Sequence, residues 1–142
     1  MKNLPKISGR ALVVEDDAIL AMVMAQTLTD MGMEEVQTCG STGDAMARLA
    51  EFMPTVLTLD VHLADRQDGW ALAELALQIS ESPPVIIFAT GSPESVPPRV
   101  ARMGHVIGKP VDPADIHAIL LKAQKERGLL GRVRRMLGDS TS

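Results

Sequence analysis

The sequence predicts an α/β fold: one five-stranded parallel sheet, doubly wound with helices on both faces in a (βα)5 arrangement. Two observations predict it. Five short apolar segments recur along the 142 residues, and segments of helix length separate them. Parallel strands need crossovers of about a dozen residues, usually helices, whereas antiparallel hairpins do not. A chain of this length is typical of one domain with its own core.

The five predicted strands are the segments 11–14, 35–39, 55–59, 85–89 and 105–107. The first and fourth are continuous apolar runs rich in β-branched residues, which is typical of strands that helices cover on both faces. The second is the weakest, because polar residues interrupt it. Each segment is ended by charged residues, a glycine or a proline, so the boundaries of the strands are well marked.

The five predicted helices are 18–31, 42–52, 70–80, a short one beginning near Pro98, and 113–126. The first should turn an apolar face inward, with Ile19, Met22, Val23, Ala25 and Leu28 at helical spacing. Gly32 and Gly128 are typical helix stops, so we expect the first and last helices to end there. Three prolines between 93 and 98 keep the fourth helix short.

Charge and composition exclude several classes of function. Residues 1–121 carry 8 Lys and Arg against 16 Asp and Glu, and only three residues of the chain are Phe or Trp. Nucleic acid requires basic surfaces and aromatic stacking platforms, so we expect no nucleic-acid partner. The single cysteine, Cys39, fits a reducing compartment. Because no signal peptide or membrane-length apolar run is present, we expect a cytoplasmic protein without stable membrane association.

The C-terminal end differs from the rest in charge. Residues 122–142 carry 6 Lys and Arg against 2 Asp and Glu. We therefore predict a domain over 1–127 and a short basic tail over 128–142, which is too short for an output domain. Five apolar residues and three arginines of the tail fall at helical spacing, which favours an interaction element, whereas Gly128, Gly131 and Gly138 favour a frayed terminus.

Polar residues follow four of the predicted strands where each strand ends. Glu15 and Asp16 follow the first strand, Asp60 the third, Thr90 the fourth and Lys109 the fifth. In parallel α/β sheets, ligands bind at the carboxyl ends of the strands, so these side chains should converge at one edge. Burial of such charges is costly unless they are paired or bind an ion.

Three neighbouring carboxylates repel one another, and a divalent cation removes that conflict. Mg²⁺ prefers oxygen ligands with few carboxylates and several waters. With Thr90 and Lys109 beside it, Asp60 then has the surroundings that phosphoryl transfer requires: an oxygen nucleophile, a metal and donors for phosphoryl oxygens.

At these residues the sequence resembles the response-regulator receiver domains of two-component signalling. The resemblance covers residues 9–127 and rests on four motifs at strand ends: Val13–Asp17, Asp60–Val61, Thr90–Gly91 and Lys109–Pro110. It implies the flavodoxin-like strand order 2-1-3-4-5. The segment Phe88–Gly91 also resembles the signature of stand-alone receivers from α-proteobacteria.

The resemblance also implies the roles of the site residues. Asp60 would accept a phosphoryl group from the phosphohistidine of a histidine kinase or phosphotransfer protein, and Thr90 and Lys109 would hold phosphoryl oxygens. Glu15, Asp16, Asp60 and the backbone carbonyl of His62 would bind Mg²⁺, Glu15 mainly through water. Such a protein signals to a downstream protein through changed contacts and is no enzyme beyond its own phosphorylation and dephosphorylation.

Three positions depart from the family pattern. Val106 stands where Tyr or Phe is common, Ala64 where Pro is usual, and the fourth helix is short. Output by rotation of an aromatic ring is therefore not expected. Three alternatives remain open: a binding module that is not phosphorylated, a phosphate sink in a relay, and a small phosphatase with an Asp nucleophile. The phosphatase usually has a second Asp where this chain has His62.

Four further residues are interpreted as structural. Neither His105 nor His117 has a partner at metal-ligand spacing, Cys39 is expected to be buried, and Trp70 is expected to pack.

Overall fold

The computed structural model describes residues 4–60 and 66–138. Its strands are β1 (Arg10–Val14), β2 (Glu35–Cys39), β3 (Val56–Asp60), β4 (Val85–Thr90) and β5 (His105–Gly108). Its helices are α1 (Ala18–Asp30), α2 (Thr42–Phe52), α3 (Arg66–Gln78), α4 (Pro98–Ala101) and α5 (Pro113–Gly138), with a 3₁₀ turn at Pro93–Ser95.

The five strands form one sheet in the order β2-β1-β3-β4-β5, and all neighbouring strands are parallel. This confirms the predicted α/β fold and the strand order 2-1-3-4-5. The order reverses at β1, whose neighbours are β2 and β3, so the crevice above these strands is the place where ligands bind in such sheets. All five residues of β3 are buried, including its last residue, Asp60.

Helices cover both faces of the sheet, and each face has its own cluster of buried side chains. Strand residues such as Leu57 and Phe88 pack with α2, α3 and α4, to which Leu49 and Val100 belong. On the opposite face, residues such as Val13 and Ile87 pack with α1 and α5. Trp70 packs against the first cluster and Cys39 is buried in it, as predicted.

Helix α1 begins immediately after the acidic turn that follows β1. The carboxylate of Asp17 caps it, accepting hydrogen bonds from the backbone N–H groups of Ile19 at 2.9 Å and Leu20 at 3.1 Å. Side-chain caps of this kind satisfy N–H groups that have no partner within the helix. The cap therefore fixes the short connection that carries Glu15 and Asp16.

The predicted inward face of α1 is right at Leu28 and wrong at three other positions. Ile19, Met22 and Val23 are 71%, 69% and 58% exposed, and the buried residues of the helix are Ala21 and Leu28. The first eight residues of α1 are all apolar, so hydrophobic spacing could not select a face. The small Ala21 side chain lies against the sheet instead, and the larger ones remain outside.

The predicted end of the last helix is also wrong, because α5 continues past Gly128 to Gly138. A Cβ atom at Gly128 or Gly131 would meet nothing within 4 Å, so neither glycine marks a close approach of the backbone. The intervening leucines and arginines are good helix formers, and they outweigh the glycine cost. Over the described ranges, no helix combines the length and apolar content that a membrane crossing requires.

Candidate functional site

The register of the central strands brings the first acidic residues together. Val14 of β1 pairs with Leu59 of β3, so Glu15 lies level with Asp60 at the carboxyl edge of the sheet. The backbone N–H of Glu15 donates to the carbonyl of Cys39 at 2.9 Å, which extends the β1–β2 ladder by one residue. The side chain of Glu15 is consequently held at the edge by strand geometry.

Three carboxylates form a compact cluster at this edge. Glu15, Asp16 and Asp60 each offer an oxygen atom, and these oxygens all lie within 4.8 Å of one another. Glu15 and Asp60 are buried, whereas Asp16 is exposed. This is a donor set of hard oxygens with one open side, which suits Mg²⁺ because that ion keeps several of its waters.

Lys109 brings a positive charge to the same cluster from β5. Its backbone N–H donates to the carbonyl of Thr90 at 2.8 Å, beyond the β4–β5 pairing that ends at Thr90 and Gly108. Its ammonium donates to Oδ1 of Asp60 at 2.7 Å. The side chains of Lys109 and Asp60 are 24% and 5% exposed, so this charge-assisted hydrogen bond lies largely out of water.

Burial changes the ionisation of Glu15. Desolvation, together with a hydrogen bond to the neighbouring Asp60 carboxyl group, raises the pKa of Glu15 to about 7. A hydrogen bond from the backbone N–H of Asp17 to Oε2, at 3.1 Å, opposes this shift by favouring the carboxylate. Among the described residues, the cluster contains three carboxyl groups and only one ammonium, that of Lys109. It therefore has an excess of negative charge that a bound cation would relieve.

Thr90 lies at the end of β4, one residue beyond Ala89, which pairs with Asp60. The hydroxyl oxygen of this buried side chain accepts a hydrogen bond from the backbone N–H of Ser92 at 3.0 Å. The hydroxyl oxygen thus supports the turn after β4, and a hydroxyl that accepts one hydrogen bond can still donate its own hydrogen. Thr90 can therefore support the turn and also donate a hydrogen bond to a bound group.

The structure brings most of the predicted site residues to one edge. Glu15, Asp16, Asp60 and Lys109 are clustered and Thr90 lies at the same edge, whereas His62 lies outside the described residues, as does Ala64. Val106 is half-buried and packs against the α2, α3 and α4 cluster.

The two histidines predicted to be structural, His105 and His117, differ in position. His117 is buried, with Nε2 at 2.8 Å from the carbonyl oxygen of Pro5, whereas His105 is exposed at the start of β5. Because neither belongs to the carboxylate cluster, both positions agree with a role outside the site chemistry.

Sequence reasoning missed a groove between α1 and the start of α5. We call it the α1 groove; its volume is about 300 Å³, and Glu15, Asp60 and Lys109 line it where it opens onto the site. Its other walls are mostly apolar and include Leu20, Val23, Met24, Val111 and Ile116. The start of α1 is apolar without interruption, and the side of a helix that faces a sheet requires only some of those residues. The remaining apolar residues were the available signal for a second apolar surface beside α1.

Comparison with known proteins identifies the class to which this fold and site belong. Residues 11–121 match the family described as the response regulator receiver domain. This span covers most of the chain, and the chain belongs to that family.

Curated relatives match over part of the chain. A protein-glutamate methylesterase/protein-glutamine glutaminase of Archaeoglobus fulgidus is 31% identical over 78 residues, which are 55% of this chain and 22% of the relative. A protein of the same description from Myxococcus xanthus is 32% identical over 87 residues, 61% of this chain and 25% of the relative. The chain therefore matches about a quarter of the length of these relatives.

Solved structures share the fold. A CheY-like response regulator receiver domain from Methylobacillus flagellatus has a TM-score of 0.71 and 21% identity, covering 84% of this chain and 98% of that one. The anti-anti-sigma factor PhyR from Bartonella quintana has a TM-score of 0.72 and 22% identity, covering 90% of this chain and 52% of that one.

Proposed function

We propose that this receiver domain accepts a phosphoryl group on Asp60 from the phosphohistidine of a histidine kinase or phosphotransfer protein. One observation carries the proposal: a buried carboxylate at the end of β3 lies within 4.8 Å of two further carboxylates and accepts a hydrogen bond from the Lys109 ammonium. Burying these charges lowers the stability of the fold, so such a cluster is typical of a functional site that binds or transfers charged groups.

In the proposed transfer, a carboxylate oxygen of Asp60 attacks phosphorus and forms an acyl phosphate. The phosphorus–nitrogen bond of the donor breaks, and the imidazole nitrogen keeps the electron pair. Asp60 is already ordered for this step, because its strand is buried and the Lys109 ammonium fixes one of its oxygens. Positioning and charge stabilisation supply most of the catalysis in phosphoryl transfer.

The carboxylate cluster fits Mg²⁺ in the number and chemistry of its oxygen donors. Glu15, Asp16 and Asp60 would hold the ion, and the carbonyl of His62 is a further proposed ligand. When bound, the ion would neutralise charge that builds up on the phosphoryl oxygens. Glu15 would then be held as a carboxylate, because metal binding competes with the proton that its raised pKa retains.

We assign Lys109 and Thr90 to the phosphoryl oxygens. The Lys109 ammonium already lies 2.7 Å from the acceptor carboxylate, so it can follow the negative charge as the acyl phosphate forms. The Thr90 hydroxyl can donate from the adjoining strand end. Both residues are tied to the loops after β4 and β5 through the hydrogen bond from Lys109 N–H to the Thr90 carbonyl. Movement of these loops would change protein contacts and transmit the signal without turnover of an external substrate.

The exposed apolar side of α1 supports a docking site for the phosphodonor. Ile19, Met22 and Val23 lie within two turns of the acidic turn that carries Asp16. A partner helix packed there would bring its own side chains to the open side of the carboxylate cluster. We propose that the donor protein binds this surface, and that a downstream protein reads the phosphorylated state.

Incubation with acetyl phosphate and Mg²⁺, followed by intact-mass measurement, tests the proposal. We expect one phosphoryl adduct on the unchanged chain and none on Asp60→Asn. Asp44→Asn is the matched control, because Asp44 is an exposed carboxylate in the first turn of α2 and should leave labelling unchanged. Labelling of Asp60→Asn at the parent level would refute the assignment.

The same measurement separates the alternatives. A phosphatase would release phosphate continuously with little adduct, and a binding module that is not phosphorylated would show neither adduct nor turnover. A phosphate sink would form the adduct but show no change in its partners. Capture of partners by the chain in its phosphorylated and unphosphorylated forms distinguishes the sink from an output regulator.

A further inference from the structure

The last turns of α5 form an exposed amphipathic helix. Arg127 donates to the carbonyl of Pro83 at 3.1 Å, at the amino-terminal edge of the sheet. Beyond that contact, a face that we call the tail face is 42–75% exposed and consists of Leu129, Leu130, Val133 and Met136. At about 100° per residue, these four side chains span about 120° of the helix surface. This width is typical of a helix face that packs against a partner.

The charges of the tail are arranged around that face. Arg132 and Arg134 lie on its two margins at about 40° from its edges, and residues 128–138 contain no Asp or Glu. At the same angle per residue, the buried residues of α5, Ile116, His117 and Leu120, are centred about 150° around the helix from the centre of the tail face. The tail face is therefore not a continuation of the side that packs on the chain's own sheet.

The α1 groove has the opposite character. It is apolar, and acidic residues adjoin it: Asp16 and Asp17 follow the lining residue Glu15, and Asp112 lies between two other lining residues. Segments 15–30 and 109–121 together contain six acidic residues and one basic residue, Lys109, whose ammonium is hydrogen-bonded to Asp60. An apolar helix with basic margins and an apolar groove with acidic surroundings are complementary.

The tail cannot occupy the groove of its own chain. The groove lies at the start of α5, near Pro113, and the tail face is centred some 20 residues later on the same continuous helix. Twenty residues of α-helix span about 30 Å. Pairing of two tails is also unfavourable, because Arg132 and Arg134 would meet their counterparts with no carboxylate between them.

We infer that the α1 groove binds the tail face of a second copy of this chain. The groove and the tail face lie at opposite ends of α5, so two antiparallel α5 helices bring each tail level with the other groove. Because each tail binds the groove of the other chain, the two chains form a closed dimer with two-fold symmetry. Opposite charges draw the surfaces together, so the pair is strongest at low salt. The bound tail covers the approach to Asp60; this consequence alone rests on the proposed function.

Disulfide trapping between two different chains tests the inference without phosphorylation. A Met136→Cys chain is mixed with a Val23→Cys chain, whose cysteine lies in the wall of the groove at a position that is 58% exposed. We expect the mixed dimer to be the main product under mild oxidation. Ile79→Cys replaces Val23→Cys in the control, because Ile79 is an exposed apolar residue after α3, and the mixed product should be lost.

Sedimentation of the full chain gives the second measurement. Val133→Glu should raise the dimer dissociation constant by about tenfold, the effect of losing one partly buried aliphatic side chain.

A main product between two Met136→Cys chains would overturn the inference, since it indicates tail-to-tail pairing. A chain that stays monomeric and gives no mixed product would also overturn it. Flotation of a monomer with phosphatidylserine vesicles, if it depends on Val133, would also overturn the inference, because an anionic membrane would then be the partner of the tail.

Discussion

Helices α1 and α2 lie on opposite faces of the sheet, and each was predicted to bury an apolar face. In α2 the apolar residues Ala45, Leu49 and Phe52, at helical spacing, are all at most 6% exposed. In α1 the predicted residues Met22 and Val23 are 69% and 58% exposed. The apolar surface of α2 therefore stabilises the fold, whereas much of that of α1 remains available for contacts beside the carboxylate cluster.

The largest difference between the two helices should appear in stability. Leu49→Ala removes a side chain that is 1% exposed and leaves a cavity against the sheet, which should lower the free energy of unfolding by about 3 kcal/mol. Met22→Ala removes a side chain of similar size from the surface and should change it by less than about 0.5 kcal/mol. Urea unfolding of both variants measures the comparison. Equal losses would show that Met22 is buried in solution.

Cysteine reactivity sharpens the same comparison. Cys39 is buried on the α2 side, and burial raises the pKa of its thiol above the ordinary value. Because the thiolate is the reactive form, iodoacetamide should modify Cys39 slowly in the folded chain, about a hundredfold more slowly than an exposed cysteine. Met22→Cys supplies the exposed reference on α1 in the same chain.

The raised pKa of Cys39 also gives its contribution to stability a pH dependence of definite sign. The folded state holds the Cys39 proton more tightly than the unfolded state does, so the thiol's contribution to stability declines as the pH rises above the thiol's ordinary pKa. Peptide mapping after timed labelling with iodoacetamide measures the modification rates at Cys39 and in Met22→Cys. Similar rates at the two positions would contradict the burial of Cys39.

The sequence predicted the fold and the convergence of the polar strand ends well for one physical reason. A polar residue at the end of a buried strand is costly, so Asp60 and Thr90 are conspicuous after their apolar runs. Parallel pairing then brings the strand ends to one edge without detailed knowledge of packing. The hydrogen bond between Lys109 and Asp60 follows from the same topology.

The unpredicted features have a different cause. The start of α1 is apolar on every side, so spacing cannot show which side chains the sheet will cover. Gly128 is a common helix stop, but whether a helix stops there depends on the residues beyond and on local packing. The α1 groove depends on which side chains α1 turns toward the sheet, so it was visible only in the structure.

Transfer from a protein donor should depend on α1 and not on α2. Met22→Glu places a charge on the exposed apolar side of α1 and should lower the rate of phosphotransfer from the cognate donor by about tenfold, through lost apolar contact. Labelling by acetyl phosphate should be unchanged, because that donor needs no docking surface. Ala47→Glu introduces the same charge at an exposed position of α2 and is the control. A donor that transfers equally well to both variants would refute docking on α1.

The smallest expected effect concerns the helical extension that carries the tail face. A Cβ at Gly128 would meet nothing within 4 Å, so Gly128→Ala should gain the full helix propensity of alanine, about 1 kcal/mol. Because the extension opens locally, this gain should appear as about fivefold slower hydrogen exchange over residues 129–138, with little change in global unfolding. Gly104→Ala is the contrasting variant, since its Cβ would lie 2.3 Å from the carbonyl oxygen of Ile86 and should destabilise the whole domain. Unchanged exchange beyond residue 128 in Gly128→Ala would mean that the extension is not helical in solution, and the tail face would then lose the geometry on which its pairing with the α1 groove depends.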